Sequence, residues 1–433
     1  MKNSVKIRVG CALAAMAAML GAAVPVGYGF ACVRDVNEGI PFRRWFVSAY
    51  GWYCRAVGTR SCNRCVLLLG TDHAMLPTGE RWPMAAAAAN VAAFSEYCRS
   101  LGSRYLYVQL PKKLDVRKTM LPPGVTDVAY ENADDLLGRL EDAGVATEDW
   151  RARFAGTAEQ VAANFYPSDT HWNNPASLRA ARELASVTVR LCEVDAPSAR
   201  LADERLRPES WNAVELGRHF KFAGALARRT GRFFAKANRV TALWPKFETE
   251  LAFAQPDENR QASGSFLELA VPAYAQAFFR RQGTSSFTAQ YAGGGARFVR
   301  LVNHRAPIDR KVLLIGDSFS RSLRTYLWVA VREIVSVDPR QFAQPQGIAR
   351  LVRDERPDLV VQIHTAAALT ADVRKGIGAK RGGAAIFDYG LNRSSTGQFL
   401  RERYEIAPWN FNLPGYIESF MSARTPCRNL DPR

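Results

Sequence analysis

Three side chains in this 433-residue sequence are placed to do chemistry together. The run Lys311-Val312-Leu313-Leu314-Ile315-Gly316-Asp317-Ser318-Phe319-Ser320 is an apolar strand that breaks into Gly-Asp-Ser before a helical pattern. This order puts Ser318 on a tight turn at the carboxyl end of a strand, where open α/β sheets place their ligands. The free N–H groups and positive dipole of the following helix point at the same spot, so the Ser318 amide can help hold an oxyanion. Gly316 permits the close bend, since a side chain there would crowd it. Asp317 reads as the turn or helix-start residue, not a second catalytic acid. A serine hydroxyl is weakly acidic and needs a base to become a nucleophile. The competing reading of the tripeptide is an ordinary strand-to-helix turn with Ser318 as a helix cap.

The base is sought among five histidines, His73, His171, His219, His304 and His364. Only His171 has a carboxylate two residues away in a turn-like segment leading into a helix, Tyr166-Pro167-Ser168-Asp169-Thr170-His171-Trp172-Asn173. An aspartate beside a histidine fixes its tautomer and stabilises the imidazolium formed when it takes the serine proton. Trp172 is expected to wall the site from water. The alternative is a helix-capping aspartate beside a surface histidine. His364 ends an expected strand and reads as a satisfied structural histidine, with an approach to the site as the alternative. The sequence shows no metal-ligand set, and no cofactor is expected; the lone Cys62-Asn63-Arg64-Cys65 lacks a second ligand pair for zinc and precedes an apolar strand, so a structural disulfide suits it better than a redox role.

The elements that must carry these residues follow an α/β rhythm. Expected strands are Val66–Gly70, Tyr105–Leu110, Lys311–Gly316, Ile334–Val337, Leu359–His364 and Ala384–Asp388. Expected helices are Ala85–Leu101, Asn132–Ala143, Pro175–Cys192, Ser320–Arg332 and Gln346–Glu355. The alternation implies a largely parallel sheet. Residues 196–300 break the rhythm and read as a long basic insertion. Within it, Leu216 to Arg239 interleaves seven Lys and Arg with Phe220, Phe222, Leu226, Phe233 and Phe234. Two readings are open for this stretch: a basic amphipathic helix for a membrane surface or an anionic glycan, and a solvated helix with one face on the core.

Composition sets the compartment and the class of partner. Hydrophobic residues are 48% of the chain, which excludes wholesale disorder. The 58 Lys and Arg outnumber the 41 Asp and Glu, giving +17 and a field that attracts polyanions. No nucleic-acid motif accompanies that charge. Lys2, Lys6 and Arg8 precede a run, Val9 to Val33, without a charged residue; residues 1–31 read as a signal peptide or a membrane anchor. Cys54, Cys62, Cys65, Cys98, Cys192 and Cys427 leave room for one or two disulfides in an oxidising compartment.

The Asp169-Thr170-His171-Trp172 segment, followed by Gly316-Asp317-Ser318-Phe319, resembles the alginate O-acetylation proteins of the AlgJ and AlgX type. Leu68-Leu69-Gly70-Thr71-Asp72 and the run Tyr105–Lys113, which ends in Gln-Leu-Pro-Lys-Lys, are similar to family strands. His73-Ala74-Met75-Leu76 departs from the family's aromatic-rich pattern. The resemblance spans residues 60–375 apart from most of the insertion. Residues 376–433 look too short for a carbohydrate-binding module, a layout more like the AlgJ type. It implies an SGNH hydrolase-like, flavodoxin-like three-layer core in which Asp and His precede Ser. Ser318 would be the nucleophile, His171 the base and then the acid, and Asp169 its orienting group. It further implies a periplasmic O-acetyltransferase that acts on an exported, alginate-like polysaccharide. The acetyl donor would come from a membrane-bound O-acyltransferase. Competing readings are a secreted carbohydrate esterase with the same triad, an inactive polysaccharide-binding or scaffold protein, and a membrane-surface adaptor using the basic insertion.

Overall fold

The computed structural model describes residues 43–62, 66–69, 73–78, 81–215, 224–231, 233–235, 238–256, 259–270, 298–340 and 347–369, with 387, 389 and 391. The strands among them are β1 (Ser61–Cys62), β2 (Val66–Leu69), β3 (His73–Met75), β4 (Arg104–Leu110), β5 (Thr147–Asp149), β6 (Trp211–Glu215), β7 (Thr241–Pro245), β8 (Leu251–Gln255), β9 (Arg260–Gly264), β10 (Phe298–Asn303), β11 (Ile308–Gly316), β12 (Val331–Val337) and β13 (Leu359–Thr365). The helices are α1 (Arg43–Ala56), α2 (Ala85–Ser100), α3 (Ala129–Asp142), α4 (Arg151–Ala155), α5 (Ala158–Asn164), α6 (Asn174–Leu191), α7 (Ala196–Leu206), α8 (Ala225–Thr230), α9 (Phe266–Ala270), α10 (Ser318–Leu327) and α11 (Gly347–Glu355).

Eight strands form the central sheet in the order β5-β4-β13-β11-β12-β10-β8-β9. From β5 to β12 neighbouring strands run parallel, and β10, β8 and β9 extend the sheet antiparallel. The central strands carry apolar runs such as Val312–Ile315 and Leu359–Val361 because both of their faces are covered. Leu106, Val108, Val312, Leu314, Val361 and Ile363 enter one core, with side chains of α6 and α10. Tyr105, Tyr107, Leu313, Ile315, Val335 and Val360 enter the other, with α2, α3 and α11. The result is a three-layer mixed α/β domain with its reactive turn at the carboxyl end of β11.

Several expectations change. Val66–Leu69 is a strand, but it pairs with β1 and β3 in a separate three-stranded sheet. The helix after Ser318 ends at Leu327, and the chain is already in strand at Val331. The apolar turn Trp328-Val329-Ala330 is fully buried, so the pattern that resembles a longer helix is a core-buried corner. The basic stretch 216–239 does not form one long amphipathic helix in its described part. Only α8 is helical there, and Leu226, Ala227, Phe234 and Ala235 are buried in a third core with Cys54, Val66 and Leu68. Cys54, Cys98 and Cys192 are buried thiols, which removes them from the disulfide candidates. The Cys62–Cys65 pairing, Cys427, the expected strand Ala384–Asp388 and residues 1–31 and 392–433 lie wholly or partly outside the described residues. No helix among the described residues is long and apolar enough to cross a membrane.

Candidate active site

Asp169 and His171 sit on a clamped loop between α5 and α6. Phe165 and Trp172 bridge its two ends, and the Tyr166 amide donates to the His171 carbonyl at 3.1 Å. Beyond the loop, Asn173 caps α6 by accepting from the Ala176 amide, and Pro175 follows in the first turn, where a missing N–H costs nothing. These signals fix where the loop stops and the helix starts.

Four other parts of the chain hold the loop from outside. The Ala74 amide of β3 donates to the Pro167 carbonyl at 2.8 Å. The Asn238 side chain accepts from the Ser168 amide at 2.7 Å. Gly224, just before α8, comes so close that a Cβ there would sit 2.3 Å from the Ser168 carbonyl oxygen and 2.6 Å from the Asp169 Cβ. The Ala225 amide at the start of α8 donates to Asp169 Oδ2 at 2.6 Å. The buried Lys113 Nζ donates to three carbonyls of the loop, those of Tyr166, Pro167 and Asp169, at 2.5, 2.6 and 2.9 Å.

Ser318 is the first residue of α10. Asp317 is its N-cap, accepting from the Phe319 amide at 2.9 Å. The same carboxylate accepts from the Thr365 amide and hydroxyl at 3.0 and 2.9 Å, which ties the ends of β11 and β13 together. A Cβ on Gly316 would lie 2.6 Å from the Ser320 Cβ, 2.7 Å from Ile363 Cγ2 and 2.9 Å from the Ile363 carbonyl, so the bend has no room for a side chain.

The two segments meet. His171 Nε2 is 2.6 Å from Ser318 Oγ, and His171 Nδ1 is 2.5 Å from Asp169 Oδ1. Asp169 Oδ1 also accepts from the His171 amide at 3.1 Å. With Nδ1–H donating to the carboxylate, Nε2 presents its lone pair to the serine hydroxyl. Burial pushes the Asp169 carboxyl up, but the attraction and hydrogen bond of His171 and the two amides outweigh it and hold it below the usual carboxylate range. Asp169 is fully buried, whereas His171 and Ser318 are partly exposed, so the reacting atoms face solvent and the orienting charge does not. As the first helical residue, Ser318 carries an amide that the helix does not use internally.

Trp172 differs from its expected role. It is fully buried, packs against Phe154 and Phe319, and donates its indole N–H to Ser322 Oγ at 2.7 Å. It therefore docks α10 onto the His171 loop from beneath and does not screen the site from outside. Phe319 carries the contact upward, with its ring 5.0 Å from the His171 ring. His364 is fully buried at the end of β13, with Nε2 3.1 Å from the Gln362 amide nitrogen. Its Nδ1 has no hydrogen-bond partner, which departs from the expectation of a fully satisfied histidine. Burial is the main cause that pulls it down to about 4, so its ring is neutral at ordinary pH.

Sequence reasoning missed Lys113, Gly224 and Ala225. Lys113 ends a strand run that the sequence marks by its Pro-Lys-Lys ending. Gly224 gives no local signal, since only the tertiary approach of α8 to Asp169 requires a glycine there. Among the described residues no cluster of His, Cys, Asp and Glu could hold a metal ion.

Residues 68–210, which contain Asp169 and His171, match the family described as the SGNH hydrolase-like domain of acetyltransferase AlgX. No curated protein matches the chain in sequence. The fold is shared with PatB1 of Bacillus cereus, at 13% identity and a TM-score of 0.57 over 76% of this chain and 100% of that one. A second PatB1 structure, with a sulfonyl adduct, has 12% identity and a TM-score of 0.54 over 72% of this chain and 95% of that one. A DHHW family protein from Eubacterium siraeum has 13% identity and a TM-score of 0.50 over 72% of this chain and 93% of that one. Over residues 68–210 the chain is similar to the SGNH hydrolase-like domain of acetyltransferase AlgX, and the fold as a whole is mixed α/β around one large sheet.

Proposed function

We propose that this protein is a periplasmic O-acetyltransferase that moves acetyl groups through Ser318 onto hydroxyls of an exported polysaccharide. The observation that carries the reading is the unbroken chain of hydrogen bonds from Asp169 through His171 to Ser318. The match to an acetyltransferase family supports the type of reaction. The net charge of +17 suits an anionic, alginate-like acceptor.

In this reading His171 Nε2 removes the Ser318 proton as Oγ attacks the carbonyl carbon of an acetyl donor. The tetrahedral oxyanion forms beside the Ser318 amide and the positive end of α10. His171 returns the proton to the leaving oxygen, and acetyl-Ser318 remains. A sugar hydroxyl then takes the place of the leaving group. His171 accepts its proton, the new ester bond forms, and Ser318 recovers the proton. Asp169 holds one tautomer throughout and balances the imidazolium charge. The donor, in this reading, is supplied by a membrane-bound O-acyltransferase.

The test is to incubate the full chain with an activated acetyl ester and unacetylated uronate oligosaccharides, beside Ser318→Ala, and to weigh the products by mass spectrometry. Acetylated oligosaccharide that disappears in the variant is expected. Free acetate alone, still dependent on Ser318, would make the protein an esterase. Absence of both Ser318-dependent turnover and an acetyl adduct on Ser318 would overturn the triad reading.

A further inference from the structure

The helix α1 turns large aromatic side chains away from the domain. Trp45, Tyr50, Trp52 and Tyr53 are 57%, 53%, 60% and 56% exposed, whereas Gly51 and Cys54 on the opposite side are buried. At about 100° per residue these four rings cover an arc of about 160° on the helix surface. A monomeric soluble protein rarely leaves so many large rings together in water. Trp and Tyr are the side chains that favour the boundary between a bilayer and water, with the ring in the headgroup layer and the polar edge hydrated.

The charge around the helix points the same way. From residue 39 to residue 71 the sequence contains no Asp or Glu, while Arg43, Arg44, Arg55, Arg60 and Arg64 fall inside that span. Such a segment complements anionic headgroups. The sequence places the uncharged run Val9 to Val33 only nine residues before the helix. Nine residues reach at most about 30 Å, so a chain held in a bilayer by that run keeps α1 within about that distance of the membrane.

We infer that the outward face of α1 is a docking surface for an anionic phospholipid bilayer, on which it lies as an interfacial helix. The inner side of the same helix is fixed to the candidate site. A Cβ on Gly51 would meet the Thr230 carbonyl of α8 at 1.9 Å, and a Cβ on Gly231 would meet Ser48 Cα at 2.5 Å. Arg55 donates to the Phe234 carbonyl at 3.0 Å. Docking through α1 therefore sets the orientation of α8, the Asp169 loop and the Ser318 turn relative to the lipid surface. The spread of the rings around a convex helix favours a headgroup layer over a sugar chain, which stacks on rings lying in one row. This inference does not depend on the reaction assigned to the triad.

The experiment uses the full chain in vesicles of phosphatidylcholine, with and without 30% phosphatidylglycerol as an assay condition. The emission of Trp45 and Trp52 is read as the difference between the parent and the variant Trp45→Phe/Trp52→Phe. On anionic vesicles that difference emission should shift to the blue, be quenched by lipids brominated in their acyl chains, and be protected from iodide. In Arg43→Glu/Arg44→Glu the protection should fall at least about twofold. Difference emission that stays open to iodide and untouched by brominated lipid would overturn the inference. So would protection that ignores both phosphatidylglycerol and the charge reversal. Difference emission that responds to uronate oligosaccharides and not to vesicles would replace the bilayer with a glycan.

Discussion

Replacing Lys113 with methionine should flatten the alkaline side of the pH–stability profile. Lys113 is buried, and the cost of desolvating its ammonium lowers it from 10.5 to about 7, with Asp169 opposing. In the unfolded chain the amine titrates at its ordinary value of about 10.4. Between these two limits the unfolded state holds a proton that the folded state has lost, so stability rises with pH across the window, and the neutral folded amine keeps two N–H donors for the three loop carbonyls that its ammonium form serves together. The slope is about 1.4 kcal/mol per pH unit, and the whole effect is about 5 kcal/mol. Lys113→Met has no proton to lose and keeps the length of the stem. Urea unfolding at pH 7, 8 and 9 reads the difference in stability between parent and variant, which should grow by about 1.4 kcal/mol per unit in the parent's favour. The variant also loses the donor shared by the Tyr166, Pro167 and Asp169 carbonyls, so its turnover should fall by about 10²-fold as the loop moves. Parallel stability curves, with the difference constant from pH 7 to 9, would refute the assigned titration of Lys113.

Other perturbations read different parts of the site. Asp169→Asn should leave the fold intact and lower turnover by about 10⁴-fold, because an amide no longer selects the tautomer that aims Nε2 at Ser318; Ser318-dependent acetyl transfer measures it. Gly316→Ala should destabilise the chain by about 1–3 kcal/mol in urea unfolding, since the added Cβ meets Ser320 and Ile363 under 3 Å. His364, held to about 4, adds an acid-side slope. From about pH 6.5 to 4 the unfolded chain takes a proton that the folded chain refuses, so stability falls by about 3 kcal/mol. His364→Gln should remove that contribution, as followed by urea midpoints at pH 6.5, 5.5 and 4.5.

The strands that carry the site were legible because they are buried on both faces. Val312–Ile315 and Leu359–Val361 are unbroken apolar runs, and the structure places both at the middle of the sheet. The rarity of histidine and the Asp-x-His spacing drew attention to a loop whose side chains do meet Ser318. Trp172 was misjudged because an aromatic residue beside a histidine looks the same in sequence whether it faces solvent or the core. Its burial depends on Phe154, Phe319 and Ser322, which arrive from other elements. The support from Gly224 and Ala225 was illegible for a similar reason. Those residues touch Asp169 across 56 positions of chain, and their local sequence reads only as part of a basic stretch. The end of α10 was overrun because Trp328-Val329-Ala330 continues the apolar pattern into a corner that happens to be core.

The pairing of β4 with β13 has a consequence for how this molecule is made and cut. Arg104 to Leu110 lie opposite Leu359 to Thr365, so one of the innermost seams of the sheet joins stretches about 255 residues apart. Loop closure of that length must come before the seam gains anything, which makes assembly slow and late. The region from 68 to 210 supplies only β4 and β5 to the central sheet and lacks Ser318 altogether. Expressed by itself, it would expose one whole edge of β4 and the apolar faces meant for α10 and α11. Such a fragment is an aggregation hazard and not a domain. As the chain is made, the seam between β4 and β13 cannot close until the residues of β13 have emerged, about 255 positions after β4.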